Sequence, residues 1–318
     1  MLRAHNRSTI QHWRATGSPH YSPRPRMLRH RLLPALLLAL AATAHAGPVL
    51  DRITSTQRIV LAHRESSVPF SYLHDGQPVG YAVDLCRRLA EAVRRQLKLD
   101  RLEVAFVPVT AATRMDVIVQ GKADLECGST TNNAERRQKV AFTVPHYIAG
   151  ARFLVRADST VEELMQFEGR KLVSTKGTTP LKAVQDAKRD RLLNITLVEA
   201  PDHAKAVEMV EKGEADGFVM DDVLLYGLRA ARTDPTRLKV VGKFLTIEPL
   251  AIMLSRDDPA FKKLVDDEMK RLIRSREAFD LFERWFNQPI APRNTALALP
   301  MNHLLKDFWK YPTDQVPF

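Results

Sequence analysis

The run Glu126-Cys127-Gly128-Ser129-Thr130-Thr131-Asn132-Asn133-Ala134-Glu135-Arg136 brings three hydroxyls, two amides and a guanidinium into one short stretch. Such a stretch suits the holding of a carboxylate. Hydroxyls donate to it, the unpaired N–H groups at a helix start face it, and a planar guanidinium adds two parallel hydrogen bonds. Read alone, the same pattern also describes an ordinary capped helix with a surface arginine. The elements around it decide between the two.

At 318 residues and 45% apolar composition the chain can bury a sizeable core, as one large or two medium domains. Its formal charge of +11 is unevenly placed. Residues 1–46 hold seven arginines and no acid, which leaves 41 basic against 37 acidic residues, a net of +4, for the rest. Nucleic-acid binding therefore loses its main support. Met27 to Arg31 is a short basic head, Leu32 to Thr43 an apolar run, and Ala44-His45-Ala46 a small-x-small cleavage site. The pattern predicts a signal peptide starting at Met27 and cut after Ala46, with residues 1–26 before it read as an over-long gene start or an unstructured leader. The apolar run is too short for a stable span, so a soluble exported protein is expected. Cys86 and Cys127 are the two cysteines. An oxidising compartment permits one disulfide, and two separate buried thiols fit equally well.

Strand and helix patterns alternate along the exported part. Arg58 to Ala62 reads as a strand, Val79 to Leu97 as an entry turn and amphipathic helix, Leu102 to Val107 as a strand, Arg114 to Gln120 as a helix, and Ala123 to Cys127 as a third strand. This grammar implies an α/β lobe with a mostly parallel sheet. Val207 to Asp216 repeats the helix, glycine, alanine-aspartate pattern of Asp116 to Asp124, which suggests a second lobe built alike. Lys171 to Ser174, Ile195 to Glu199 and Leu250 to Leu254 are further strands. Thr178-Thr179-Pro180 opens a helix with a hydroxyl cap and a first-turn proline, and Phe261 to Ile273 forms an amphipathic helix.

Over residues 50 to 312 the chain resembles the extracytoplasmic solute-binding proteins of family 3, and within them the glutamate/aspartate-binding proteins of ABC importers. The motifs that carry the likeness are His63 to Tyr72, Glu126 to Arg136, Gly177-Thr178-Thr179, Asp202-His203 and Met220-Asp221-Asp222. The resemblance implies a two-lobed α/β periplasmic-binding-protein fold of type II with two crossover hinge strands. One lobe would comprise 47–147 and 248–289, the other 148–247, with 290–318 as an extension packing on a lobe. It also implies Arg136, helped by Ser129 and Thr131, on a ligand α-carboxylate and Asp221 on the α-ammonium. Arg64, Arg114 and His203 would supply positive charge for an acidic side chain, and Thr178 and Thr179 backbone N–H groups from the second lobe. The subgroup carries a small hydroxyl residue three positions before Arg114, where this chain has Ala111; either Thr110 or Thr113 substitutes for it, or one ligand hydrogen bond is lost and affinity and the aspartate/glutamate preference shift.

By this likeness the protein would be a periplasmic monomer without cofactor or metal. It would capture L-glutamate or L-aspartate by lobe closure and deliver it to an ABC permease. The same fold also hosts periplasmic dehydratases acting on cyclohexadienyl substrates, and ligand-sensing modules of receptors, so fold alone does not choose among them.

Overall fold

The computed structural model describes residues 47–316. The predicted leader over 1–46 lies outside the described residues, and no helix among those described is long and apolar enough to cross a membrane.

Two sheets organise the chain. In the first, the strands Glu103–Pro108, Arg58–His63 and Leu125–Thr131 run parallel, and Glu248–Leu254 returns antiparallel beside Leu125–Thr131. The helix Tyr81–Gln96 covers this sheet because Leu85, Leu89 and Val93 fall on one face at helical spacing and are fully buried. The helices Pro259–Arg274 and Glu277–Phe286 pack beside it, with Phe282, Phe286 and Tyr147 stacked at the centre of that core.

The second sheet comes wholly from residues 151–241. Thr196–Ala200, Lys171–Thr175 and Gly217–Asp221 are parallel, and Ala151–Arg156 and Leu238–Val241 complete it antiparallel. The chain passes between the sheets twice. At these crossings Tyr147–Ala149 pairs antiparallel with the start of Glu248–Leu254, so that Glu248 faces Ala149. This side-by-side pair is the pair of crossover strands expected of a two-lobed binding protein.

Three local features go beyond the sequence reading. The strand read as ending at Cys127 continues to Thr131, and the helix behind it is only Ala134–Arg137, capped by the Asn133 side chain. The cause is long-range: Thr131 and Thr130 pair with Leu250 and Ala251, some 120 residues later, which extends the strand through the hydroxyl run. Between those pairs and Glu126↔Met253 the register shifts, so Cys127, Gly128 and Ser129 form a bulge. Second, Cys86 and Cys127 are bonded, tying the helix Tyr81–Gln96 to this bulge. Third, the C-terminal stretch touches more than one lobe. Tyr72 donates to the Ala291 carbonyl at 2.8 Å, Arg293 to Thr233 of the second-sheet region at 2.8 Å, and Asn302 to the Ile148 carbonyl of a crossover at 2.7 Å.

Candidate ligand-binding site

In the open part of a doubly wound sheet, ligands sit beyond the carboxyl ends of the parallel strands. Every candidate residue lies there. Arg64 follows the strand Arg58–His63, and Arg114 begins the helix after Glu103–Pro108. Ser129 and Thr131 close Leu125–Thr131. Thr178 and Thr179 follow Lys171–Thr175, His203 follows Thr196–Ala200, and Asp221 ends Gly217–Asp221. The two sheets present these ends to one another.

Arg114, Ser129, Thr131, Thr178, Thr179, His203 and Asp221 line one small, partly open pocket, with Pro180, Met220 and Leu224 as its apolar wall. Arg64 lies behind His203, its Nη2 3.4 Å from the imidazole Nε2. Arg136 stands beside the cavity, not in its lining. Its Nη1 donates to the Thr131 carbonyl at 3.0 Å and its Nη2 to the Gly177 carbonyl of the other lobe at 3.3 Å. A larger open cleft leads away from Arg136 along Lys139, Lys176 and Lys182.

All three guanidiniums are buried, yet among the described residues none has a carboxylate oxygen within ion-pair distance. Burial, reinforced by repulsion from Arg114, lowers Arg64 and Arg136 to about 9, which still leaves both charged at neutral pH. Three buried side-chain atoms of the cluster have no partner: Arg64 Nη1, Arg114 Nε and Asp221 Oδ1. Arg114 and Asp221 line the pocket and Arg64 stands behind His203, so unused donors and an unused acceptor gather at one site, which suits a guest carrying both carboxylate and ammonium.

His203 differs from its expected part as a third cation. Burial, with Arg64 and Arg114 nearby, drives its pKa well below the usual histidine value, so the ring is neutral. Arg64 can only donate, so Nε2 accepts, and the proton on Nδ1 is placed on the 2.7 Å contact to Thr175 Oγ1. Asp202 caps the same helix by accepting from the Lys205 N–H. Asp221 moves the other way: burial, then the charges of Glu248 and Asp222, raise its pKa well above the carboxylate range.

The substitutes for the missing hydroxyl at Ala111 do not serve. Thr110 and Thr113 are exposed and bond each other, while Ala111 is buried with its carbonyl against Gly177. Two site carboxylates escaped the sequence reading. Glu126 is fully buried, accepting from Thr130 Oγ1 at 2.6 Å, and buried Glu248 accepts from Thr179 Oγ1 at 2.8 Å. Glu126 opened the quoted run but its partners lay elsewhere; Glu248 stood before a strand with no local signal.

Comparison with known proteins agrees with this architecture. The chain is 36% identical over 294 residues to the glutamate/aspartate import solute-binding protein of Escherichia coli K12, covering 92% of this chain and 97% of that one. Among solved structures, a mutant of ArgBP from T. maritima superposes with a TM-score of 0.67 at 24% identity, over 75% of this chain and 99% of that one. An ancestral amino acid-binding protein described as a precursor of cyclohexadienyl dehydratase gives 0.62 at 27% identity, over 74% and 98%. The family model for bacterial extracellular solute-binding proteins, family 3, matches residues 59–288, and the chain belongs to that family.

Proposed function

We propose that this protein captures acidic L-amino acids, glutamate or aspartate, in the periplasm and presents them to the permease of an ABC importer. It acts by binding and closure, without covalent chemistry. The observation that carries the reading is the set of three buried guanidiniums without a carboxylate partner, next to an aspartate with a free oxygen. The name of the Escherichia coli relative supports both the ligand and the importer.

Arg136 and the Ser129 hydroxyl hold the α-carboxylate, with Thr131, whose proton goes to Thr179, lining the site beside them, and Asp221 holds the α-ammonium. The unused donors of Arg64 and Arg114 then require the second carboxylate of an acidic side chain. Glutamine leaves them unmet at a cost of about 1–3 kcal/mol, roughly tenfold or more in affinity. His203, neutral and fixed by Thr175, orients the Arg64 fork instead of adding charge. Thr178 and Thr179 approach from the second lobe, so the full set of contacts exists only in the closed state, and ligand shifts the population toward it.

Isothermal titration of the Gly47-onward protein with glutamate, aspartate, glutamine and arginine tests this. Glutamate or aspartate should bind at least tenfold more tightly than glutamine, Arg136→Ala should abolish binding, and Arg64→Ala should weaken acidic ligands most. Equal affinity for glutamine or arginine would overturn the reading. Reconstituted transport with the cognate permease tests the partner, and N-terminal sequencing of the exported protein tests the compartment.

A further inference from the structure

Glu126 is the one fully buried carboxylate on the strand that carries Ser129 and Thr131, and no ligand role has been given to it. Its Oε2 accepts from Thr130 Oγ1 at 2.6 Å, closing the two ends of the bulge over Cys127-Gly128-Ser129. Its Oε1 has no hydrogen-bond partner among the described residues. Gly128 lies beneath that oxygen: a Cβ there would overlap the Glu126 carboxylate and come within 3.1 Å of the Arg64 Cγ. The carboxylate and the Arg64 stem therefore share the gap that the missing side chain leaves. Its carboxylate bears on Arg114 and Arg136 as well, offsetting part of the lowering that burial imposes on each guanidinium.

A staple for the bulge would need only an acceptor, which an amide provides. A buried carboxylate with one oxygen unbonded is costly unless a neighbouring cation makes use of it. We propose that Glu126 is the fixed internal counter-charge of the Arg64/Arg114 pair, and that it sets how strongly the site discriminates acidic ligands from their amides. In the empty protein it offsets two cations that lack an ion-pair partner. In the occupied protein it repels the ligand's second carboxylate, which holds affinity down and permits release. This rests on the acidic-ligand reading above.

The test compares wild type with Glu126→Gln, which keeps the acceptor for Thr130 and removes the charge. Calorimetry gives the dissociation constants for glutamate and glutamine, and melting curves are taken with and without each ligand. The ratio of the glutamine constant to the glutamate constant should widen about tenfold in Glu126→Gln, and the free protein should melt lower while the glutamate-saturated one recovers. Glu126→Asp, which keeps the charge, should leave the ratio near wild type. If Glu126→Gln is unfolded when free, refolding by glutamate but not by glutamine supports the proposal, and refolding by neither overturns it. An unchanged ratio in a folded variant also overturns it. Failure of wild type to bind glutamate would instead sink the acidic-ligand reading itself.

Discussion

Thr131 ends a strand of the first sheet and Thr179 opens the helix Thr179–Asp190 behind a strand of the second, and their hydroxyl oxygens lie 3.0 Å apart. Glu248 accepts the Thr179 proton at 2.8 Å, so Thr131 must be the donor to Thr179, and the chain Thr131 to Thr179 to Glu248 runs from one lobe through the other to the crossover strand. It joins ligand-lining hydroxyls directly to the hinge. Thr179→Val removes both links, and we expect ligand dissociation to quicken about tenfold with little change in association rate. Stopped-flow fluorescence measures both; an unchanged dissociation rate would show that the chain does not hold the lobes shut.

Gly177 sets how deeply the lobes close. Its φ is +79°, and a Cβ there would lie 2.8 Å from Ala112 Cα and 2.9 Å from the Ala111 carbonyl across the cleft. Gly177→Ala should weaken ligand affinity tenfold or more. The strain on the free, open protein should be about 1 kcal/mol. Calorimetry beside thermal melts separates the two effects, and unimpaired binding would mean that the lobes need not approach so closely.

Asp221 links binding to protons. Its pKa is raised in the empty cavity, chiefly by burial, and a ligand ammonium would restore the charged form. Within the window between its bound and empty values, ligand uptake releases a proton and affinity rises with pH. The stability of the empty protein runs the other way: Asp221 holds more protons folded than unfolded there, so its contribution falls as pH rises. Titrations in buffers of different ionisation enthalpy should reveal the released proton, and Asp221→Asn should abolish it.

Two buried histidines act at lower pH. His146 is held down to about 3 by burial and His203 lies well below its usual value, so both are neutral when folded and take up protons on unfolding. Their stability contribution is complete above the unfolded value near 6.5 and is lost as pH falls below it. Denaturant melts between pH 7 and 4 should show this decline, and His146→Gln should reduce its slope by about one proton.

The disulfide closes a loop of 41 residues between the helix Tyr81–Gln96 and the site bulge. Reducing it should cost about 3–4 kcal/mol of stability by denaturant titration. Because Cys127 belongs to the bulge that aims Ser129, glutamate affinity should fall as well; unaltered affinity after reduction would mean that strand pairing alone shapes the bulge.

Much of the architecture was legible because it is written locally. Leu85, Leu89 and Val93 repeat at helical spacing and form a helix on any scaffold, and Thr178 with Pro180 starts a helix by capping and a preset φ. The run from Glu126 to Arg136 was legible as a carboxylate grip by residue type. It was misread in conformation, since its Ser129 and Thr131 reach the cavity from a bulged strand and not from a helix start.

What the linear order determined was therefore the kinds of groups available, the alternation that builds two α/β lobes, and the resemblance those motifs carry. Tertiary structure alone decided that Thr131 pairs with Leu250, that Cys86 meets Cys127, that Glu126 and Glu248 stand among the arginines, and that His203 is neutral. Each of these depends on strand pairing or desolvation between segments tens to more than a hundred residues apart, and the energy of a buried charge is set by its neighbours in space.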